Sequence, residues 1–364
     1  MSEWEHATLN DVVSFQRGHD LPTPDRVPGQ VPVVGSFGIT GWHNEAKAPG
    51  PGVTIGRSGA SIGKAVYIDC DYWPLNTCLY ATDFKGNDLR WVYHLVDTID
   101  FTAYNSGSAQ PSLNRNFLKQ IPVLRPPCDE QRRIAAVLGS LDDLIETELH
   151  MADTVDDLWH TMVAAALSST EEVALSSLAA FINGRNFTNG ASDSGRFVVR
   201  TPEVRTGPSD STPRNDVDAD ADNIANPGDI LFVWSGSLLV GRWRWRPALI
   251  NQHIFKVLPH EGVPPWLVYW AIEQLLPEFL SLAADKATTM GHIKREHLDT
   301  IVTLPSRAQW AQLDRIIGPL WAESLQARRQ AIDLTRTRDE LLPLLMSGRV
   351  RVVETVGTEC KDAV

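Results

Sequence analysis

The chain has 364 residues, 43% of them hydrophobic, and its 45 acidic and 33 basic side chains give a net charge of −12. No apolar run approaches the roughly 18 residues that a membrane span needs, and the first residues lack the features of a secretory signal. The four cysteines form no CxxC pair, which disfavours a disulfide framework or a zinc site. We expect a cytoplasmic protein with room for two domains.

The negative charge is concentrated in two segments. Residues 129–172 carry a net charge of −9 and residues 209–222 carry −4, so the remainder of the chain totals +1. Local patches, and not the sum, decide which partners a surface attracts. A near-neutral remainder does not favour tight phosphate binding by this chain alone, so we expect a basic partner to contribute.

Residues 1–128 have the pattern of a mixed strand and loop domain. Short β-rich runs alternate with glycine and proline turns, and one segment has a helical pattern. The predicted strands are Val31–Val34, Gly52–Ile55, Ala65–Ile68 and Thr77–Tyr80, and the predicted helix is Leu89–Val96.

A long helix is predicted over residues 129–169. Apolar residues recur three or four positions apart from Ile134 to Ala166, a spacing typical of a coiled-coil helix. The pair Pro126-Pro127 ends the preceding segment. Asp129 and Glu130 suit the first turn of a helix, where the helix dipole favours negative charge.

Residues 170–305 repeat the pattern of the first domain. Strands are predicted at 196–199, 229–234 and 254–257, and a helix at 265–282. A second long helix is predicted over 306–347, with a weaker apolar stripe that Arg338 interrupts. This helix complements the acidic first one, because residues 307–340 hold six arginines against five acids. Residues 348–364 are predicted to form a frayed C-terminal tail.

The second half of the chain repeats the first. The segment at 110–124 aligns with the segment at 290–304, so that leucine and isoleucine positions recur at a fixed offset. Ser58-Gly59 aligns with Ser235-Gly236, and Asn76 aligns with Asn251. The predicted fold is mixed α/β. It has two globular domains separated by two long antiparallel coiled-coil helices and an internal pseudo-two-fold repeat.

The sequence GRSGASIGK at 56–64 does not fit a nucleotide-binding phosphate loop. Ser58 stands where that motif needs glycine, and Ala65 stands where it needs serine or threonine. A strand-like run follows, where a phosphate loop needs a helix N-terminus. The alternatives are a glycine turn between two strands and an exposed loop tip that meets phosphates or base edges.

Arg242 and the WRWR sequence that follows it combine planar cations with aromatic rings. Such a mixture suits nucleic acid, because guanidinium groups bind guanine or phosphate. The alternative is a strand with its tryptophans inward and its arginines in solvent, and both can hold on a half-buried strand. The histidines show no metal spacing and no nucleophile partner.

Three segments carry a resemblance to a known family. They are PVVGSFGITGWHNE at 32–45, GVTIGRSGASIGKAVYI with WPLNTCLY within 52–80, and GSAQPSLNRNFLKQIPVLRPPCDEQRRIAAVLGSLDDLIE at 107–146. The chain resembles a type I restriction-modification specificity subunit. The second half resembles the family more by architecture than by motif, because SRAQWAQL replaces the DEQRRIAA pattern.

The resemblance implies a non-catalytic subunit with two target-recognition domains, each reading one half of a split sequence on double-stranded DNA. It also implies two spacer helices and assembly with two modification subunits, which bring S-adenosylmethionine and the methyltransferase centre. In some systems restriction subunits that use ATP and Mg²⁺ join the complex. No cofactor or metal is expected on this chain.

Candidate DNA-binding residues follow from the turns and from the repeat. Arginine can contact guanine, and asparagine or glutamine can contact adenine, through two hydrogen bonds each. The candidates in the first domain are Arg57, Ser58, Lys64, Asn76, Thr77, Gln110, Ser112, Asn114 and Arg115. The candidates in the second domain are Ser235, Arg242, Arg244, Asn251, Gln252, Lys294 and Arg295. Trp159 and Trp321 are predicted to face partner subunits.

Two other functions stay open at this point. A protein-interaction scaffold that has lost DNA binding would account for the acidic balance. A self-sufficient DNA-modifying enzyme would need a catalytic motif, and no NPPY-type or DPPY-type tetrapeptide and no GxGxxG after a strand occurs in the sequence.

Overall fold

The computed structural model describes residues 4–104, 112–284 and 292–352. The chain divides into two compact units. Unit 1 consists of Met1–Asp143 and Leu334–Val364, and unit 2 of Leu144–Asp333. No helix within the described ranges is long and apolar enough to cross a membrane.

Unit 1 is a mixed α/β structure. Its strands are β1 (Glu5–Thr8), β2 (Ser14–Arg17), β3 (Val31–Gly35), β4 (Gly38–His43), β5 (Gly52–Gly56), β6 (Ala65–Ile68), β7 (Trp73–Pro74), β8 (Cys78–Asp83) and β9 (Pro122–Arg125). Its helices are α1 (Leu9–Val12), α2 (Leu89–Asp97), α3 (Arg115–Leu118) and the first part of α4 (Cys128–Ala166). The strands form sheets in the orders β2-β8-β5-β6, β4-β3-β7 and β1-β9.

Unit 2 has the same kinds of element. Its strands are β10 (Thr170–Ala174), β11 (Ala179–Asn183), β12 (Arg196–Val199), β13 (Arg214–Asn215), β14 (Ile224–Ala225), β15 (Ile230–Val233), β16 (Leu239–Arg242), β17 (Ala248–Ile250), β18 (Ile254–Pro259) and β19 (Ile301–Pro305). Its helices are α5 (Thr201–Thr206), α6 (Pro265–Ala284) and the first part of α7 (Arg307–Met346). The sheets have the orders β11-β18-β15-β16, β13-β12-β17-β14 and β10-β19.

The topology confirms the internal repeat. The sheet β2-β8-β5-β6 of unit 1 corresponds strand by strand to β11-β18-β15-β16 of unit 2. In each unit a second sheet contains a parallel pair, β3 with β7 and β12 with β17. The predicted mixed α/β fold with a duplicated domain is therefore correct.

One helix covers the repeated sheet of each unit, and its sequence explains why. Trp91, Val92, Leu95 and Val96 recur at helical spacing on α2 and are buried against the β2-β8-β5-β6 sheet. Asp88 caps this helix by accepting a hydrogen bond from the Trp91 N–H. Helix α6 buries Trp266, Leu267 and Trp270 in the core of unit 2 in the same way.

The two long helices are close to their predicted bounds. Each begins in one unit and ends in the other, as the division of the chain shows. Gln131 in the first turn of α4 donates to the Pro126 carbonyl oxygen at 2.9 Å. Trp310 makes the equivalent contact in α7, because its indole N–H donates to the Pro305 carbonyl oxygen at 2.7 Å. An indole N–H thus replaces the amide at the start of the second helix, where the family motif is lost.

The paired helix segments run antiparallel within each unit, as predicted. In unit 2, Asp156 of α4 binds Arg328 of α7 at 2.8 Å, and Trp159 contacts Trp321 with ring centroids 5.5 Å apart. In unit 1, Asp142 of α4 binds Arg338 of α7 at 3.0 Å. These pairs join carboxylates of the acidic first helix to arginines of the second.

The predicted C-terminal tail begins later than expected. Gly348 lies against the Trp4 ring, and Arg351 binds the buried Glu130 carboxylate at 3.3 Å. Glu130 also accepts a hydrogen bond from the Trp4 indole at 3.0 Å. Residues 348–352 therefore pack on unit 1, and residues 353–364 lie outside the described ranges.

His94 is a buried histidine that we expect to make the stability of unit 1 sensitive to acid. Its side chain is 1% exposed, and burial, followed by the positive charges of Arg90 and Arg338, lowers the pKa of His94 to about 3. The Asp142 carboxylate lies 3.5 Å from Nε2, but it is already paired with Arg338. Below a pH of about 6.5 the unfolded chain binds a proton at this histidine that the folded unit does not.

We expect the free energy of unfolding to fall as the pH drops below about 6.5. Between pH 7 and pH 5 this histidine contributes a loss of about 2 kcal/mol. His94→Phe should remove that contribution, because phenylalanine has no proton to bind. Chemical denaturation of both proteins at the two pH values measures the difference. Equal acid sensitivity in the two proteins would show that His94 is not the cause.

Candidate nucleic-acid interface

Three loop segments of unit 1 meet at one end of the β2-β8-β5-β6 sheet. The Leu113 N–H donates to the Arg57 carbonyl oxygen at 2.8 Å, and the Arg57 N–H donates to the Thr77 carbonyl oxygen at 3.0 Å. Ser58 and Ser112 form a β-bridge beside these bonds. We call this arrangement of residues 57–58, 76–77 and 112–113 the loop junction of unit 1. It brings together five residues that the sequence analysis selected: Arg57, Ser58, Asn76, Thr77 and Ser112.

A groove opens beside this junction. It has a volume of about 420 Å³ and is lined by Gln16, Arg17, Arg57, Ser112, Asn114 and Arg115, together with two leucines. Arg57 is half-buried, and its Nη1 donates to the Asn76 carbonyl oxygen at 3.1 Å. Neither Arg57 nor Arg115 forms an ion pair with any residue that the structure describes. Two guanidinium groups are therefore available to an acceptor that enters the groove.

Two polar side chains at the groove are held by their neighbours. The Asn76 amide donates to Asp20, which also pairs with Arg17 at 3.5 Å. The Asn114 side-chain oxygen accepts from the Asn116 N–H at 3.0 Å and so caps α3. These contacts fix the loops that carry the arginines. They also occupy part of the hydrogen-bonding capacity of each asparagine side chain.

Lys64 does not line the groove, and Gln110 cannot be placed. Lys64 is exposed at the start of β6, near Asp97 at the end of α2. Burial raises the pKa of Asp97, and the charge of Lys64 opposes this effect. Gln110 lies outside the described residues. The turn at 57–64 joins two strands, which agrees with the turn interpretation of GRSGASIGK.

Unit 2 contains the same junction with different side chains. The Ile293 N–H donates to the Trp234 carbonyl oxygen at 3.1 Å, and the Trp234 N–H donates to the His253 carbonyl oxygen at 3.2 Å. Ser235 forms a β-bridge with His292. The loop junction of unit 2 is therefore residues 234–235, 252–253 and 292–293. Trp234 occupies the position of Arg57, so the junction of unit 2 is aromatic where that of unit 1 is cationic.

Aromatic and imidazole rings cluster around Trp234. The centroid of its ring lies 5.6 Å from that of His253, 6.4 Å from that of His292 and 5.7 Å from that of Phe255. The Trp234 indole donates to the Asn183 side-chain oxygen at 2.9 Å. Two cations lie next to this cluster in the chain. Lys294 is exposed and pairs with Glu296 at 3.3 Å, and Arg295 donates to the Phe181 carbonyl oxygen at 3.2 Å.

The sequence alignment of Asn76 with Asn251 is wrong by one residue. The Leu75 N–H donates to the Val34 carbonyl oxygen, and the Asn251 N–H donates to the equivalent Val199 carbonyl oxygen. Leu75 therefore corresponds to Asn251, and Asn76 corresponds to Gln252. Asn251 is 8% exposed, so its side chain faces the interior. Gln252, which is half-buried next to His253, is the residue that lies at the junction.

Arg242 and Arg244 do not join the unit 2 junction. They line a separate cavity beside α4, α6 and α7, where Arg242 stacks on Trp321 at 4.0 Å from the ring centroid. Trp243 is buried, but residues 243–246 do not form the expected strand, because β16 ends at Arg242. Arg242 is half-buried and is held against Trp321 of α7. Their placement as DNA-contacting residues is thus not supported by the geometry.

The prediction that Trp159 faces a partner is wrong. Its side chain is 1% exposed and packs on the ring of His160 and against Trp321. Trp321 is partly buried between Trp159 and Arg242. Both tryptophans pack within unit 2, because the apolar stripes of the paired helices face each other there.

Sequence reasoning missed the aromatic residues at the two junctions. Phe37, 67% exposed, lies at the tip of the β3–β4 hairpin, where Ser36 donates to the Thr77 carbonyl oxygen. The two-residue turn between Gly35 and Gly38 was the signal for an exposed tip. Trp234, His253 and His292 could have been found only by aligning the repeat through its backbone hydrogen bonds.

Comparison with known proteins agrees with this architecture. Residues 1–153 match the family model described as "Type I restriction modification DNA specificity domain". These residues make up about two fifths of the chain, and through them the chain is similar to the DNA specificity domain of type I restriction-modification systems. The "Type I restriction enzyme EcoprrI specificity subunit" of Escherichia coli is 24% identical over 147 residues, which are 39% of this chain and 37% of that protein.

Other relatives extend the likeness to both halves. The "Type I restriction enzyme MjaIX specificity subunit" of Methanocaldococcus jannaschii is 22% identical over 309 residues, which are 73% of this chain and 70% of that protein. The crystal structure of a type I restriction-modification S subunit from M. genitalium covers 94% of this chain and 96% of its own, with 15% identity and a TM-score of 0.63. The match to the E. coli relative spans less than two fifths of that protein's own length, and the M. genitalium likeness concerns the fold.

Proposed function

We propose that the chain is the DNA-recognition subunit of a type I restriction-modification complex and that each unit reads one half of a bipartite target. The observation that carries this proposal is the loop junction, which occurs twice with the same backbone bonds and with different exposed side chains. A shared frame with variable side chains is what a sequence reader needs. The chain supplies recognition, and the chemistry belongs to its partners.

The two junctions differ in ways that predict an asymmetric target. Arg57 in unit 1 can donate two hydrogen bonds to guanine, whereas Trp234 at the same position offers a flat apolar surface to a base or a thymine methyl group. Thr77 and Ser112 are likewise replaced by His253 and His292. The two half-sites should therefore have different sequences, and neither should be the inverted copy of the other.

The partners follow from the family. Two copies of a modification subunit would bind S-adenosylmethionine and methylate adenine, and restriction subunits, where present, would use ATP and Mg²⁺. Their positive surfaces would supply much of the phosphate binding that this acidic chain does not favour. The helices α4 and α7 would act as the spacer that sets the distance between the two half-sites.

Purified chain, with and without its modification subunit, tests the proposal. The mixture is expected to bind a specific duplex and to methylate adenines at two fixed positions. Neither activity in any mixture would favour the protein-interaction scaffold. Methylation by the chain alone would mean that it is itself an enzyme.

A further inference from the structure

Unit 2 contains a cavity that no residue of its loop junction lines. It has a volume of about 270 Å³ and lies where β16 and α6 meet the segments of α4 and α7 in this unit. Three arginines, Arg242, Arg244 and Arg328, line it together with the Trp321 and Tyr269 rings. Pockets for drug-sized ligands begin near 300 Å³, so this cavity suits a smaller ligand.

The carboxylates at this cavity are already engaged. Arg328 binds Asp153 at 2.7 Å and Asp156 at 2.8 Å. Asp156 also accepts a hydrogen bond from the Trp159 indole. Glu273 accepts from His160 at 2.8 Å. Of the three arginines, only Arg328 therefore forms an ion pair with a described residue.

Arg242 and Arg244 have no such acceptor. The Nη2 atom of Arg242 is shielded from solvent and has no hydrogen-bond partner among the described residues. Arg244 forms no ion pair with any residue that the structure describes, and its guanidinium stacks on Trp245 at 4.4 Å. Both arginines are half-buried, and ring stacking compensates only part of the hydration that each guanidinium loses.

The partial burial of these arginines also lowers the pKa of each guanidinium group. Burial lowers the pKa of Arg242 to about 10, and burial together with the charge of Arg328 lowers the pKa of Arg244. Both directions mean that the environment disfavours the positive charge. An anion in the cavity would reverse this effect.

The internal repeat shows that unit 2 carries a charged side chain at a position where unit 1 carries an uncharged one. Tyr67 of unit 1 stands opposite Val53 in the sheet, and Arg242 stands opposite Ile230 at the equivalent place in unit 2. On the helices, the Gln131 and Trp310 contacts make Asp142 the counterpart of Trp321. Unit 1 therefore places a tyrosine and a paired Asp142 where unit 2 places an unpaired arginine and a tryptophan.

We propose that this cavity binds a small oxyanion, of the phosphate or carboxylate type, between Arg242 and Arg244. The two guanidinium groups supply hydrogen-bond donors, and Trp321 holds one of them by stacking. A bound anion would tie the end of β16 to the long helices. The inference is independent of the sequence that the junctions read.

Thermal unfolding of the full chain in millimolar inorganic phosphate tests the site. Phosphate at ten times its Kd is expected to raise the Tm by about 2–4 °C. Arg242→Met and Arg244→Met should each abolish this shift, because each removes an anion donor. Arg246→Gln changes an exposed arginine in the same segment and serves as the control that keeps the shift. Acetate in place of phosphate tests whether a carboxylate is accepted.

The source of the oxyanion is decided by a second measurement. DNA binding by Arg242→Met, in complex with the modification subunit, should equal that of the parent chain. A loss of DNA affinity in this variant, without a phosphate effect on the parent chain, would assign the arginines to the DNA backbone and overturn the proposal. An unchanged phosphate shift in both methionine variants would also overturn it. If Arg242→Met does not fold, Arg244→Met alone gives the answer.

Discussion

Removing one heptad from both long helices is expected to shorten the gap between the two halves of the DNA target. The paired deletion takes residues 144–150 from α4 and 330–336 from α7, between the Asp142–Arg338 and Asp156–Arg328 ion pairs. Seven helical residues span about 10 Å, which corresponds to at most about three base pairs of B-DNA. Mapping the methylated adenines of the complex measures the new gap.

The paired deletion keeps the antiparallel contacts in register, which a single deletion does not. A heptad is close to two helical turns, so the faces that pack together are retained. Deleting residues 144–150 alone should misalign the ion pairs and lower stability. The exposed Leu149, replaced by alanine without a change in length, is the matched control and should leave the gap unchanged. An unchanged gap in the paired deletion would rule out the spacer role.

Arg57→Ala is expected to weaken binding to the specific target by about 1–3 kcal/mol, or roughly 5- to 150-fold in Kd. The substitution removes a guanidinium that lines the unit 1 groove and has no carboxylate partner among the described residues. Fluorescence anisotropy of the complex with specific and unrelated duplexes, at one fixed salt concentration, measures the loss.

The control for Arg57 is Arg132→Ala, which removes the same charge from an exposed position on α4. Its affinity should stay within experimental error of the parent complex. Equal weakening on specific and unrelated DNA would make Arg57 a phosphate contact. The slope of log affinity against log salt concentration would then decrease by about one. Unchanged binding to both duplexes would place Arg57 outside the interface.

Sequence patterns predicted the duplicated architecture because that information is local. Short β-rich runs between glycine and proline turns predict β5 and β6, and three-four spacing predicts α4 and α7 within a few residues of their bounds. Trp310 shows where the motif alone was insufficient. The family pattern is lost at the start of α7, yet the helix begins there because an indole N–H makes the bond that an amide makes in α4.

The errors arose where contacts join distant parts of the chain. Asn251 was aligned with Asn76 by residue type, whereas the backbone bonds pair it with Leu75 and turn its side chain inward. A shift of one residue moves a strand side chain to the opposite face, so residue identity cannot settle such a register. The chemical type of Arg242 suggests a DNA contact, whereas the structure stacks its guanidinium on Trp321 of α7.

The sequence by itself determined that this protein has two mixed α/β domains and two long helices, because hydrophobic periodicity and turn residues act over a few positions. Only the tertiary structure decided which loops meet. The bonds between Arg57 and Thr77, and between Trp234 and His253, join segments about 20 residues apart and fix the two loop junctions. It also decided that Arg242 and Trp159 lie inside unit 2, since burial depends on the surface that packs over a residue.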